Sequence, residues 1–209
     1  MALLFVLEIA GTIAFAISGA LTAIRKNIDL LGVCLMGLLS ACGGGVIRDC
    51  LLGKVPPAMF QNPIYAITAV ASSIVVFFSA TTRFRIFGKQ NLDRMMLISD
   101  AAGLGTFTAI GVNTVIDAGY GDSCFFAVSL GVLSGVGGGI LRDMLAGEMP
   151  YVFVKHIYAC ASIAGAIAYY FIWKHLGIST ALIASFSLTV IIRLLAAHFR
   201  WNLPRAFNR

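Results

Sequence analysis

The sequence is short of charge. Only 11% of its 209 residues are Asp, Glu, Lys or Arg, against 59% hydrophobic residues, so there is too little polar surface to cover a water-soluble globule of this size. The chain belongs in a membrane, with little left over for a soluble domain. Metal-binding patterns are also missing. The five cysteines form no CxxC pair and no Cys/His cluster, and Cys34, Cys42 and Cys50 fall in one apolar segment as small apolar fillers. His156, His175 and His198 are scattered near segment ends. No nucleophile, base and orienting group can be assembled, and no phosphate-binding loop follows a strand. An enzyme is therefore not expected, and no cofactor is called for.

Apolar segments of about 20 residues, each long enough at ~1.5 Å per residue to cross a ~30 Å hydrocarbon core, fill the chain. Seven are expected, over residues 3–24, 30–53, 63–80, 95–116, 124–147, 156–174 and 178–198. The first is not read as a signal peptide despite Ala14-Phe15-Ala16. No basic residue precedes it, it is too long, and an internal segment echoes it.

Within two of these segments stands the same unusual string. Gly43-Gly44-Gly45-Val46-Ile47-Arg48-Asp49 recurs 94 residues later as Gly137-Gly138-Gly139-Ile140-Leu141-Arg142-Asp143, and both copies run on to a proline, Pro56 or Pro150. The echo extends further. Glu8, Gly11, Phe15 and Gly19 return at the same spacing as Asp100, Gly103, Phe107 and Gly111, and Ile64-Tyr65-Ala66 returns as Ile157-Tyr158-Ala159. Two copies of a three-segment unit, residues 1–82 and 93–175, are followed by an unpaired seventh segment at 178–198 in a single transmembrane domain of 1–209. Three crossings are an odd number, so the second copy enters from the opposite side and the repeats are inverted.

Basic residues set the orientation. Arg25, Lys26, Arg83, Arg85, Lys89, Arg94, Lys155, Arg200, Arg205 and Arg209 lie on one side and Lys54 and Lys174 on the other, ten against two. The positive-inside rule makes this a multi-pass cell-membrane protein with its N-terminus outside and its C-terminus in the cytoplasm. The surplus positive charge needs only anionic lipid headgroups as partner, and no nucleic acid.

Both motifs carry chemistry worth weighing. Three successive glycines make unwinding easy, and the carbonyls one turn earlier then lose their helical partners, which hydrocarbon tolerates only where they meet protein or line a wet cavity. The alternative is a close-packing notch, as at Gly131 and Gly135. Arg48 and Asp49 point about 100° apart on a helix and are expected to find partners elsewhere. Arg48 should meet Glu8 in the outer half, and Arg142 should meet Asp100 in the inner half, with Asp49 and Asp143 facing backbone or water. Such pairs either lock the bundle or line and gate a conduit. Glu8, Asp49, Asp100 and Asp143 outnumber Arg48 and Arg142 by two, which favours cations over anions. The run Ala118-Gly119-Tyr120-Gly121-Asp122 imitates a potassium-channel filter, but only a short loop follows it and no pore helix precedes it.

The paired GGGxxRD strings, the E/DxxGxxxFxxxG segments at Glu8 and Asp100, both prolines and the unpaired last segment resemble the prokaryotic trimeric intracellular cation (TRIC) channels over nearly the whole chain. That resemblance implies a homotrimer of seven-helix protomers, each with its own pore, kinked at the triplets of segments two and five and conducting monovalent cations, potassium first among them. The lysine- and glutamate-containing motif of the animal relatives has no match here, so their voltage or calcium control does not carry over. The same group of sequences has been labelled as glycine transporters. A secondary transporter of a small solute such as glycine is thus the alternative, and a membrane protein without transport is a third reading.

Terminal reporter fusions check the orientation. A C-terminal reporter should be active only in the cytoplasm and an N-terminal one only outside. Reversal at both ends would overturn the orientation, and a C-terminal reporter active only outside together with an N-terminus outside would overturn the count of seven.

Overall fold

The computed structural model describes residues 2–83, 89–154 and 157–201, and among these every regular element is a helix. Seven long helices follow in chain order: α1 (Ala2–Arg25), α2 (Leu30–Leu51), α3 (Ile64–Arg83), α4 (Lys89–Val115), α5 (Cys124–Leu145), α6 (Tyr158–Leu176) and α7 (Ile178–His198). Single helical turns, Ala58–Gln61 and Tyr151–Val154, stand in the loops after α2 and α5. The expectation did not include them. Five stretches are long and apolar enough to cross a membrane by length and composition: α1, α2, Asn91–Tyr120, α5 and α7. The apolar part of α3, Ile64–Ala80, is shorter. Arg85, Lys155, His156, Arg205 and Arg209 lie outside the described residues.

Local chemistry sets the ends of α2 and α5 in the same way. Asp29 and Ser123 cap the N-termini, accepting from the amides of Gly32 at 2.8 Å and Phe126 at 3.3 Å. At the C-termini Gly53 (φ +69°) and Gly147 (φ +68°) adopt the left-handed conformation that glycine takes without penalty. Each closes a Schellman turn, in which Lys54 N donates to Asp49 O and Glu148 N to Asp143 O, both at 2.9 Å. The chain thus reverses directly after each Arg-Asp pair. α4 ends in a wider π-type turn, Ile116–Tyr120, with Gly119 at φ +91°. The run resembling a filter is therefore a helix terminus, held by the Tyr170 hydroxyl donating to Gly121 O at 2.9 Å.

Packing brings each repeated motif against its own copy. α1 and α2, α4 and α5, and α6 and α7 form neighbouring pairs, α1 packs on α4, α2 on α5, and α3 lies against α1 and α2. At the α1–α4 crossing the rings of Phe15 and Phe107 stack at 5.5 Å and 6°, with Gly103 leaving space for Phe15 and Gly11 for Thr106 and Phe107. At the α2–α5 crossing the triplets meet backbone to backbone. A Cβ on Gly44 would run into Ser134 O and one on Gly138 into Ser40 O, while one on Gly137 would lie 3.0 Å from Gly44 Cα.

The expected unwinding at the triplets is not found. α2 and α5 are continuous α-helix through Gly43, Gly44, Gly45 and Gly137, Gly138, Gly139, with no non-helical residue inside either. The physical reason is the crossing itself. The missing side chains let two helices approach until each backbone shields the other, so the peptide groups keep their helical bonds and need no other partner. Gly43 is packed by the Leu141 side chain, whereas a Cβ on Gly45 would meet, among the described residues, just the Arg48 guanidinium at an ordinary 3.8 Å.

This difference within one triplet is testable by thermal unfolding of the purified protein in detergent. Gly44→Ala and Gly138→Ala should each cost about 1–3 kcal/mol, the range for forcing extra volume into a packed contact. Gly45→Ala should be near neutral. Equal losses at Gly44 and Gly45 would contradict the crossing as described.

Candidate functional site

Two charged clusters flank the α2–α5 crossing, each built from an Arg-Asp pair, an acid on a neighbouring helix and a tyrosine. In the first, Asp49 Oδ1 accepts from Arg48 Nε at 2.9 Å and Nη2 at 2.7 Å, and Asp49 Oδ2 accepts from the amide of Ala58 at 2.9 Å. That amide opens the helical turn after the prolines, where an anion is favoured. Arg48 Nη1 reaches across to Ser134 Oγ at 3.5 Å. Glu8 on α1 accepts from the Tyr65 hydroxyl of α3 at 2.5 Å. A cavity of about 50 Å³ opens between these groups, bordered by Glu8, Thr12, Gly45, Arg48, Asp49, Tyr65 and Phe107. It has room for a few waters at ~15 Å³ or more each.

The second cluster repeats the first and closes more tightly. Asp143 Oδ1 lies 2.8 Å from Arg142 Nε and Nη2, and Asp143 Oδ2 accepts from the amide of Tyr151 at 2.9 Å. Arg142 Nη1 donates to Asp100 Oδ1 at 2.6 Å and to Ser18 Oγ at 2.5 Å. The Tyr158 hydroxyl donates to the same Asp100 oxygen at 3.3 Å, and the Tyr151 ring lies 5.4 Å from the Arg142 guanidinium carbon. Arg142 is wholly buried, whereas Arg48 retains 6% exposure beside its cavity. Asp100 Oδ2 is buried without a hydrogen-bond partner among the described residues.

The pairing of Arg142 with Asp100 is as expected, and the pairing of Arg48 with Glu8 is not. Arg48 turns instead to its neighbour Asp49. The expectation that Arg48 and Asp49, or Arg142 and Asp143, could not satisfy one another is corrected as well. The 100° between adjacent positions describes Cβ directions. A guanidinium on three methylenes reaches well beyond its Cβ, and a carboxylate anchored by a loop amide stays where the guanidinium can find it.

Sequence reasoning missed Tyr65 and Tyr158 as ligands of the two acids, Ser18 and Ser134 as partners of the arginines, and the amides of Ala58 and Tyr151. The signal for the tyrosines was present in the repeated Ile-Tyr-Ala, read there only as a marker of repetition. Ser40 and Ser134, one turn before the triplets, carry the same 94-residue offset. Arg193, buried inside the apolar run of α7, was also passed over.

Known proteins resemble this chain closely. The family model described as a glycine transporter matches it twice, over residues 5–81 and 97–174. The UPF0126 inner membrane protein YadS of Escherichia coli (strain K12) is 38% identical over 206 residues, covering 97% of this chain and 95% of its own. Among solved structures, a prokaryotic TRIC channel crystallised in 0.5 M KCl superposes with a TM-score of 0.88 at 33% identity, covering 97% of this chain and 99% of that one. The TRIC trimeric intracellular cation channel orthologue from Rhodobacter sphaeroides gives 0.87 at 30% identity, with 95% and 99% covered.

The geometry separates structural from accessible charges. Asp143→Ala removes the anchor of Arg142 and strands the Tyr151 amide, so it should cost about 3–5 kcal/mol, as for breaking a buried pair. Glu8→Gln, at a half-buried residue whose carboxylate among the described residues is bonded through Tyr65 alone, should cost less than about 1 kcal/mol. Thermal unfolding of the purified variants checks the order, and a larger loss for Glu8→Gln would refute it.

Proposed function

The chain belongs to the prokaryotic TRIC channel family, and we propose that it conducts monovalent cations, with potassium as the main ion, through a pore within each protomer of a homotrimer. The observation that carries this reading is the unequal pair of clusters along the α2–α5 crossing. One opens on a cavity and bears Glu8 and Asp49 against Arg48, a surplus of one negative charge. The other is closed, with a wholly buried Arg142 clasped by Asp100 and Asp143. A cation entering the cavity meets the Glu8 carboxylate and the Thr12 and Tyr65 hydroxyls, oxygens of the kind that replace a hydration shell.

In this reading Arg142 closes the inner end. Its release from Asp100 opens the path, and Asp143 keeps the guanidinium in register through the movement. Arg48, held by Asp49, is the corresponding group outside. The glycines let α2 and α5 cross closely enough for both arginines to reach the other half, at Ser134 and Ser18. Two copies of one inverted unit account for this arrangement, a reading supported by the double family match and by the reciprocal contacts of Phe15 with Phe107 and of Gly44 with the Ser134–Gly138 turn. Seven crossings, with the N-terminus outside, follow from the same unit and the lysine and arginine bias.

One observation favours a carrier. The cavity presents a carboxylate, Glu8, and a guanidinium, Arg48, together, and a zwitterion such as glycine would be complementary to both.

Recording in planar bilayers decides between them. Purified protein should give unitary cation currents, and saturable glycine uptake without unitary currents would replace the channel by a carrier. Glu8→Gln should lower cation conductance by about two- to fivefold at low salt and less at high salt, because a partly exposed charge is screened. Correctly assembled Arg142→Gln should change open probability, and an unchanged current would end its gating role.

A further inference from the structure

The seventh helix brings a second arginine to the inner cluster. Arg193 is 2% exposed and its Nε has no hydrogen-bond partner among the described residues. All nine acidic side chains of the protein lie among the described residues, and none forms an ion pair with it. Its guanidinium carbon instead lies 5.0 Å from the centroid of the Tyr158 ring, and the hydroxyl of that tyrosine bonds Asp100. A buried cation without a carboxylate of its own is unfavourable inside a membrane protein. What surrounds this one is the negative face of an aromatic ring and, behind it, a cluster in which two carboxylates share one arginine.

We propose that Arg193 is a tethered cation that neutralises the inner cluster and thereby makes conduction directional. Asp100 and Asp143 against Arg142 leave one negative charge unmatched, and Arg193 supplies the missing positive charge through Tyr158. The outer cluster has the same composition, Glu8 and Asp49 against Arg48, but α7 has no counterpart in the first half of the chain. Among the described residues no arginine or lysine side chain pairs with Glu8, and a mobile cation takes that position. The inner end is therefore neutral and poor in cations, and the outer end is negative and rich in them. Cations enter more readily from the N-terminal side of α1 than from the cytoplasm. The inference rests on the channel reading and on the orientation given above.

Inside-out patches from giant spheroplasts expressing the protein, in symmetric potassium chloride, provide the test because the cytoplasmic face is known. Wild-type protein should pass more inward than outward current. Arg193→Gln should raise outward current by about three- to fivefold, the effect of one charge on the order of 10 Å away in a medium of intermediate dielectric. Arg193→Lys, which keeps the charge, should retain the wild-type asymmetry. Should Arg193→Gln fail to accumulate, Arg193→Met, which fills the same space without a charge, takes its place and should raise outward current alike. An Arg193→Gln or Arg193→Met channel with an unchanged current ratio overturns the proposal, as does an Arg193→Lys channel that has lost the asymmetry. Symmetric wild-type currents would overturn the role of Arg193 and leave the channel reading standing. Absence of any potassium current in patches and bilayers alike would remove both.

Discussion

An arginine cannot stand alone in the interior of a membrane protein, and much of this architecture follows from placing Arg48 and Arg142 there. Insertion scales put the cost at ~2.5 kcal/mol or more for an uncompensated one. Each is met first by the aspartate that follows it, and each aspartate is in turn fixed by an amide of the next loop. The glycine that ends the helix, the proline and the single helical turn together place that amide. Helix end, loop and charge pair thus form one unit. It occurs twice because the chain repeats itself.

The close crossing of α2 and α5 is the second constraint, and it serves the first. Gly44 and Gly138 each occupy the place where a side chain would strike the backbone of the other helix. At that distance the guanidinium of one half reaches a serine beyond its own half. Wider spacing would leave both arginines facing apolar side chains. The same approach explains why helices carrying three successive glycines remain helical, since the shield that each residue lacks is provided by the partner backbone.

Departures from symmetry separate the two ends. The acid in the first half is a glutamate bonded to a tyrosine and open to a cavity, and in the second half it is an aspartate bonded to an arginine and closed off. Side-chain length contributes to this. α7 contributes more, because it adds Arg193 to one side only and covers the face of α4 that in the first half is left to other neighbours. Surface ion pairs on the cytoplasm-assigned side, Arg25 with Asp93 and Lys26 with Glu148, tie the α1–α2 loop to α4 and to the loop after α5. Exposed pairs of this kind contribute little stability, and their effect is to hold those loops in place.

The amino-acid order by itself determined the helical membrane class, the limits of most helices to within a few residues, and the repetition of the Gly-Gly-Gly and Arg-Asp strings. These are properties of composition and period, and hydrocarbon thickness and the 94-residue offset make them readable without coordinates. The contact of Arg142 with Asp100 was also within reach, because both were expected at the same depth on consecutive helices of one unit. Only the tertiary structure decided that Arg48 turns to Asp49 and leaves Glu8 to Tyr65, that the triplets pack rather than unwind, and that Arg193 belongs to the inner cluster. Each of these depends on where a flexible side chain or a neighbouring backbone ends up in three dimensions. An arginine can reach several carboxylates at similar cost, and which one it takes is set by the amides, hydroxyls and rings that the fold brings within a few ångströms of it.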